Sequence, residues 1–293
     1  MRNMKTRRIG PIALVSLLVW LPLGSRAAEF RETVSVSRAG TLEVDLPTGA
    51  IEIETDDEPE VRVEAHVSGW RADPTLFKLT SDGTDARLVL EGGRWFHPRV
   101  RVRIAVPEKY SVDVETGSGP IEIEDLGGNI QAQTSGGDIE VDGAVGTVEL
   151  ETAGGNIEVE EVRGDVRAST SGGHIDISEV SGRVEVETSG GSIRVHDVGG
   201  PVDAHTSGGH ISVRFSDRAE GDIQTSGGSI EVEFVEEAGV DLDARTSGGR
   251  VTLDEDFSFT GEARSDQIVG RINGGGPQLS IDTSGGNVRV LAR

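Results

Sequence analysis

The tetrapeptide Thr-Ser-Gly-Gly recurs at 134–137, 170–173, 188–191, 206–209, 225–228, 246–249 and 283–286. Variants stand at Thr116-Gly117-Ser118-Gly119 and Thr152-Ala153-Gly154-Gly155. The threonine steps by 18 residues from 116 to 206, then by 19 and 21. Ser265 stands where the next threonine is due, 18 residues before Thr283. A fixed period of this length marks a repeat architecture.

Each unit has the same inner pattern. In 170–187, Ile175 and Ile177 alternate with polar residues, Val180 and Gly182 mark a corner, and Val184 and Val186 alternate again. Period-two alternation is the mark of a half-buried strand. The unit is therefore two short strands and two turns. Its inward pairs recur as Ile121/Ile123, Ile139/Val141 and Ile157/Val159, and opposite them as Ile130/Ala132, Val148/Leu150 and Val166/Ala168. Such a coil cannot bury its apolar face alone. Stacking like on like closes it into an all-β, single-chain β-solenoid, β-helix-like, with 18-residue two-strand rungs. The spacing predicts nine complete rungs and a final partial one in 111–293, a rod ~45 Å long. The turn threonines are expected to bond one another or the turn backbone.

Residues 28–110 alternate less regularly, in runs such as Val34-Ser35-Val36, Leu42-Glu43-Val44 and Val61-Arg62-Val63. Trp70, Phe77, Trp95, Phe96 and Tyr110 gather here, while the repeats hold almost no aromatics. An open solenoid end exposes β edges and needs a cover, so this segment reads as an irregular N-terminal β cap. The competing reading is an aromatic ligand site.

Residues 1–27 read as an export signal. Arg2, Lys5, Arg7 and Arg8 form a basic start, Ile9–Leu23 is uncharged and apolar, and Ser25-Arg26-Ala27 offers small residues before a cut after Ala27. The apolar stretch is shorter than the ~20 residues of a spanning helix. The mature chain, 28–293, is thus expected to be exported, to periplasm, cell surface or medium, with no integral membrane span. Removing 1–27 takes five of the 28 basic residues and none of the 51 acidic ones, moving the formal charge from -23 to -28. That balance excludes nucleic-acid binding through a basic face. With no Cys in the chain, disulfide scaffolds and Cys-ligated zinc are excluded too.

The run Val100-Arg101-Val102-Arg103-Ile104-Ala105-Val106-Pro107, then Tyr110-Ser111-Val112-Asp113-Val114, then repeated Thr-Ser-Gly-Gly-x-Ile-x-Val, resembles the bacterial "putative adhesin" β-strand-repeat family of unknown function, the toastrack-type domain. The resemblance covers most of 29–293. It implies an extracytoplasmic β-helix-like domain, with some members in envelope-stress or cell-surface systems. It carries no catalytic residues.

Candidate sites are few. The half-rung Gly136-Gly137-Asp138-Ile139-Glu140-Val141-Asp142 puts Ile and Val where the calcium β-roll nonapeptide needs Gly and Asp. Turn-bound calcium is therefore not expected. The outward columns Glu122, Glu140, Glu158, Asp176 and Glu124, Asp142, Glu160 stack like charges ~5 Å apart. Glu122, Glu140, Asp142, Glu158 and Glu160 are thus candidates for a ladder that binds calcium or other divalent cations, against the reading of a solvated, aggregation-resistant face. His174, His196, His205 and His210 read as surface residues. Arg194, His196 and Arg214 interrupt the acidic columns and are read as cross-strand partners of nearby Asp and Glu. No catalytic constellation or cofactor motif stands out. The reading is a non-catalytic envelope protein, structural or adhesin-like, presenting an acidic repeat face to an envelope protein or surface glycan. Its rivals are a carbohydrate-active β-helix enzyme and an envelope-stress sensing domain.

Overall fold

The computed structural model describes residues 27–68, 73–91 and 99–293. The signal segment up to residue 26, and Trp70, Trp95 and Phe96, lie outside them. Seven strands precede the regular repeats: β1 Ala27–Ser35, β2 Thr41–Leu46, β3 Ala50–Asp56, β4 Glu60–Ser68, β5 Phe77–Ser81, β6 Ala86–Leu90 and β7 Arg99–Pro107. The repeats supply β8 Ser111–Thr116, β9 Ile121–Leu126, β10 Ile130–Thr134, β11 Ile139–Val145, β12 Val148–Thr152, β13 Ile157–Arg163, β14 Val166–Thr170 and β15 Ile175–Ser178. They continue through β16 Val184–Thr188, β17 Ile193–Val198, β18 Val202–Thr206, β19 Ile211–Phe215, β20 Gly221–Thr225 and β21 Ile230–Phe234. The last six strands are β22 Val240–Thr246, β23 Val251–Leu253, β24 Phe259–Ala263, β25 Gln267–Ile272, β26 Gln278–Thr283 and β27 Val288–Ala292.

These strands form two sheets, one of 13 strands and one of 14. From β8 to β21, even strands stack in parallel on one sheet and odd strands on the other. Register is kept at steps of 18: Ile139 lies between Ile121 and Ile157, and Ala132 between Val114 and Leu150. The inward Ile, Val, Leu and Ala of both sheets are buried and form one continuous core. A third inward column closes one corner of it: Leu126, Ala144, Val162, Val180, Val198, Phe215 and Phe234, all buried.

The turn threonines are core residues rather than rim residues. All nine from Thr116 to Thr283 are buried. Each Oγ1 reaches the turn backbone, as expected, and not another threonine. Thr170 Oγ1 donates to Gly155 O one rung back at 3.0 Å and accepts from Gly173 N at 3.3 Å. The second glycine of each turn is a steric necessity, since a Cβ at Gly173 would lie 1.8 Å from Gly155 O.

At both ends, chain order and stack order part company. Rung β2/β3 sits between β6/β7 and β8/β9, although β6/β7 comes between those two in the chain. Likewise β26/β27 is inserted between β20/β21 and β22/β23. Among the described residues the stack holds eleven rungs, from β6/β7 to β22/β23. Ser265 therefore does not open a rung. It lies between β24 and β25, an antiparallel hairpin that continues the sheet beyond β22. The stacking of β26 directly on β20 is what displaces it, because Thr283 takes the register place beside Thr225.

Strands β4 and β1 extend one sheet past β7 with antiparallel pairing, and β5 extends the other past β6. Phe30 of β1 and Phe77 of β5 stack at 5.4 Å and join the two sheets at this end. Tyr110 is fully buried, its hydroxyl donating to Thr84 O in the turn between β5 and β6, and burial pushes that phenol up to about 12. Phe234 and Phe257 stack at 4.8 Å near the other end.

Candidate functional site

The outward side chains of the odd-strand sheet are built by the same register that builds the core. One column runs Glu52, Glu122, Glu140, Glu158, Asp176, Arg194, Ser212, Glu231, Arg289. A second sets Glu124, Asp142 and Glu160 side by side. The predicted ladder residues Glu122, Glu140, Asp142, Glu158 and Glu160 therefore stand together on three successive rungs.

Cations close this block at both ends. Arg103 holds Glu52 through two bonds of 3.0 Å, and Arg194 holds Asp176 at 2.8 Å. Between them Glu122, Glu124, Glu140, Asp142, Glu158 and Glu160 are exposed, and none has an ion-pair partner among the described residues. Burial, with the repulsion of Glu122, Glu158, Asp142 and Glu124 added, holds the Glu140 carboxyl above the usual carboxylate range. Glu124 is raised for the same reasons. Among the described residues no group of three or more His, Asp or Glu is drawn together as metal ligands. The columns are spaced by the sheet, which sets charges in line without converging their oxygens.

A third acidic column was not anticipated. Asp125, Glu161, Glu179 and Asp197 all have φ between 53° and 56°, and Gly143, at φ 74°, occupies the intervening place. They sit near the ends of β9, β11, β13 and β17, and just past β15 in the case of Glu179, where two consecutive residues point away from the core before the corner residue turns in. The 18-residue spacing with one glycine was the signal available in the sequence. Asp125, Gly143, Glu161 and Glu179 line an open trough of about 740 Å³, which Asp56, Asp57, Glu108 and Arg163 complete. Exposed Val145 borders it.

The histidines belong to the rung-to-rung bonding. His174 Nδ1 accepts from Ser192 N at 2.9 Å, and His210 Nδ1 from Ser229 N at 2.8 Å. Asp138, Asn156 and Ser192 do the same for the rungs between and before them. His196 is half-buried, and desolvation, with Arg214 and Arg194 nearby, lowers its pKa. His205 faces Glu187 and Gln224 on the other sheet. As expected, Arg194 and Arg214 pair with neighbouring acids, Asp176 and Glu233.

Two long parallel sheets of short, register-matched rungs around one apolar core define a β-solenoid. The chain belongs to the family described as Toastrack DUF4097, whose profile matches residues 40–291. It is similar to a solved "putative adhesin" from Bacteroides fragilis, at 10% identity and a TM-score of 0.44, over 90% of this chain and 97% of that one. A second "putative adhesin", from Parabacteroides merdae, shares 11% identity with a TM-score of 0.38, over 90% and 96%. A "putative cell adhesion protein" from Clostridium sporogenes shares 12% with a TM-score of 0.24, over 92% and 100%. No curated protein matches the chain. No helix among the described residues is long and apolar enough to cross a membrane.

Proposed function

We propose that the chain is a non-catalytic, adhesin-like module of the cell envelope. Residues 1–27 direct its export, 28–110 close one end of the rod, and 111–293 present the repeats. The observation that carries this reading is the block of six exposed carboxylates on three rungs, ended by Arg103 and Arg194. Side chains without an ion-pair partner among the described residues are held at fixed intervals of ~4.8 Å across the sheet and ~7 Å along each strand. A regular face of this kind favours many weak, equivalent contacts over one tight one, and multivalency converts these into avidity. Its partner is an envelope protein or surface glycan that offers cationic groups directly or through bridging divalent ions.

Beads coated with the chain, tested for retention on whole cells and on immobilised envelope glycans, examine this reading. The comparison is a variant with Glu122, Glu124, Glu140, Asp142, Glu158 and Glu160 changed to the amides. Retention that the variant loses, and that rising salt weakens, supports the acidic face. Equal retention by both removes it. Melting with EDTA and then with millimolar calcium separates the bridging ion from a direct contact, since a ligand of the folded state raises the melting point.

A further inference from the structure

The inserted rung β26/β27 touches the stack only through residues that precede it across a short connector. β26 pairs with β20 on one side and β22 on the other, and β27 pairs with β21 and β23. Thr283 Oγ1 donates to Gly228 O at 2.7 Å, and Thr246 Oγ1 donates to Gly286 O at 2.7 Å. Asn287 N donates to Ser229 Oγ, and its Oδ1 accepts from Arg250 N. All these partners lie on the far side of residues 273–277. The connector itself, Asn273-Gly274-Gly275-Gly276-Pro277, begins with three successive residues at φ 49°, 89° and 92°. Glycine adopts such a backbone freely and Asn is among the few other residues that tolerate it, so the sequence suits a tight reversal here, with Asn273 Nδ2 donating to Glu236 O and Ala238 O.

We infer that the slot between β20/β21 and β22/β23 is a strand-exchange site, and that its second occupant is the 278–292 rung of another copy of this chain. Every contact that fills the slot is retained when the rung comes from a neighbour, because none depends on chain connection. Exchange of an identical element is a low-cost route to a symmetric dimer, and a hinge of only five residues, 273–277, is the segment that would have to open. In the exchanged pair the connector extends, each copy's slot is filled by the other, and two rods are joined near these ends.

Cysteines test this cleanly, since the chain has none of its own. Gln224 and Asp282 are exposed register partners on β20 and β26. One chain carries Gln224→Cys and a second, tagged chain carries Asp282→Cys. The two are unfolded, mixed, refolded and oxidised. Exchange gives a disulfide-linked heterodimer whose fraction rises about tenfold for a tenfold rise in chain concentration while it remains minor, as a bimolecular step requires. Lengthening the connector with flexible residues after Gly275 lowers that fraction. Absence of the heterodimer, with full closure of the intramolecular disulfide in the double variant, overturns exchange. Failure of the double variant to close overturns the inserted order on which the inference stands.

Discussion

The hydroxyl of Thr152 donates to the carbonyl oxygen of Gly137 at 2.9 Å, fifteen residues back and one rung down. The hydroxyl oxygen of Thr152 in turn accepts from Gly155 N at 3.2 Å, within its own turn. One buried side chain thus fixes both the turn and its distance from the rung below. Thr188 does the same with Gly173 and Gly191. Thr188→Val keeps the shape and leaves a buried carbonyl and a buried N–H unpaired, which costs about 1–3 kcal/mol. Thr188→Ser keeps both bonds and loses a methyl group, at about 1 kcal/mol. Urea denaturation of the two variants should rank Val below Ser. The reverse order would mean the methyl packing matters more than the hydroxyl.

The two glycines of a turn are not equivalent. A Cβ at Gly172 meets nothing closer than 3.9 Å, and its φ lies outside the left-handed range, whereas a Cβ at Gly173 would overlap Gly155 O. Gly172→Ala is expected to be neutral or to stabilise by about 0.4–1 kcal/mol through the unfolded chain. Gly173→Ala must push two rungs apart and should cost about 3 kcal/mol or more. Thermal melts of the pair decide this, and equal losses would show that the first glycine is also held by the backbone.

Glu179 carries a side chain at φ 56°. Relief of that conformation, less the entropy glycine loses on folding, makes Glu179→Gly stabilising by about 0.5–1 kcal/mol. A fall in the melting midpoint would instead assign Glu179 a stabilising contact along the trough.

Acid should tighten the odd-strand face. Burial and then the neighbouring carboxylates raise Glu140 above its ordinary value of 4.5. A carboxyl raised in the folded state binds its proton more tightly there than in the unfolded chain, so its charge opposes folding at neutral pH. That penalty disappears as pH falls through the raised value towards 4.5. Glu140→Gln should melt higher than the parent at pH 7, with the gap narrowing towards pH 4 and in high salt, since the site is largely open to screening. A gap independent of pH would point to packing rather than charge.

The repeat period, the alternation of each strand and the two main inward columns were legible because register at 18 residues makes every rung repeat the chemistry of its neighbour. The carboxylate ladder followed from the same arithmetic. The inserted rungs were not legible. Thr246-Ser247-Gly248-Gly249 and Thr283-Ser284-Gly285-Gly286 carry the same tetrapeptide, so local pattern does not distinguish which of them docks on Thr225. The burial of the threonines was hidden for a different reason. A hydroxyl suggests a rim position until both of its bonds are found inside, to Gly155 O and Gly173 N in the case of Thr170.

The interleaved ends bear on how the molecule changes size. With β2/β3 and β26/β27 each locked between two other rungs, neither end accepts a further unit without undoing that order. Between Ser111 and Phe215 chain order and stack order agree, so an in-frame duplication or loss of eighteen residues there alters only the number of rungs. Such changes lengthen or shorten the shaft in steps of ~4.8 Å and leave both tips chemically intact.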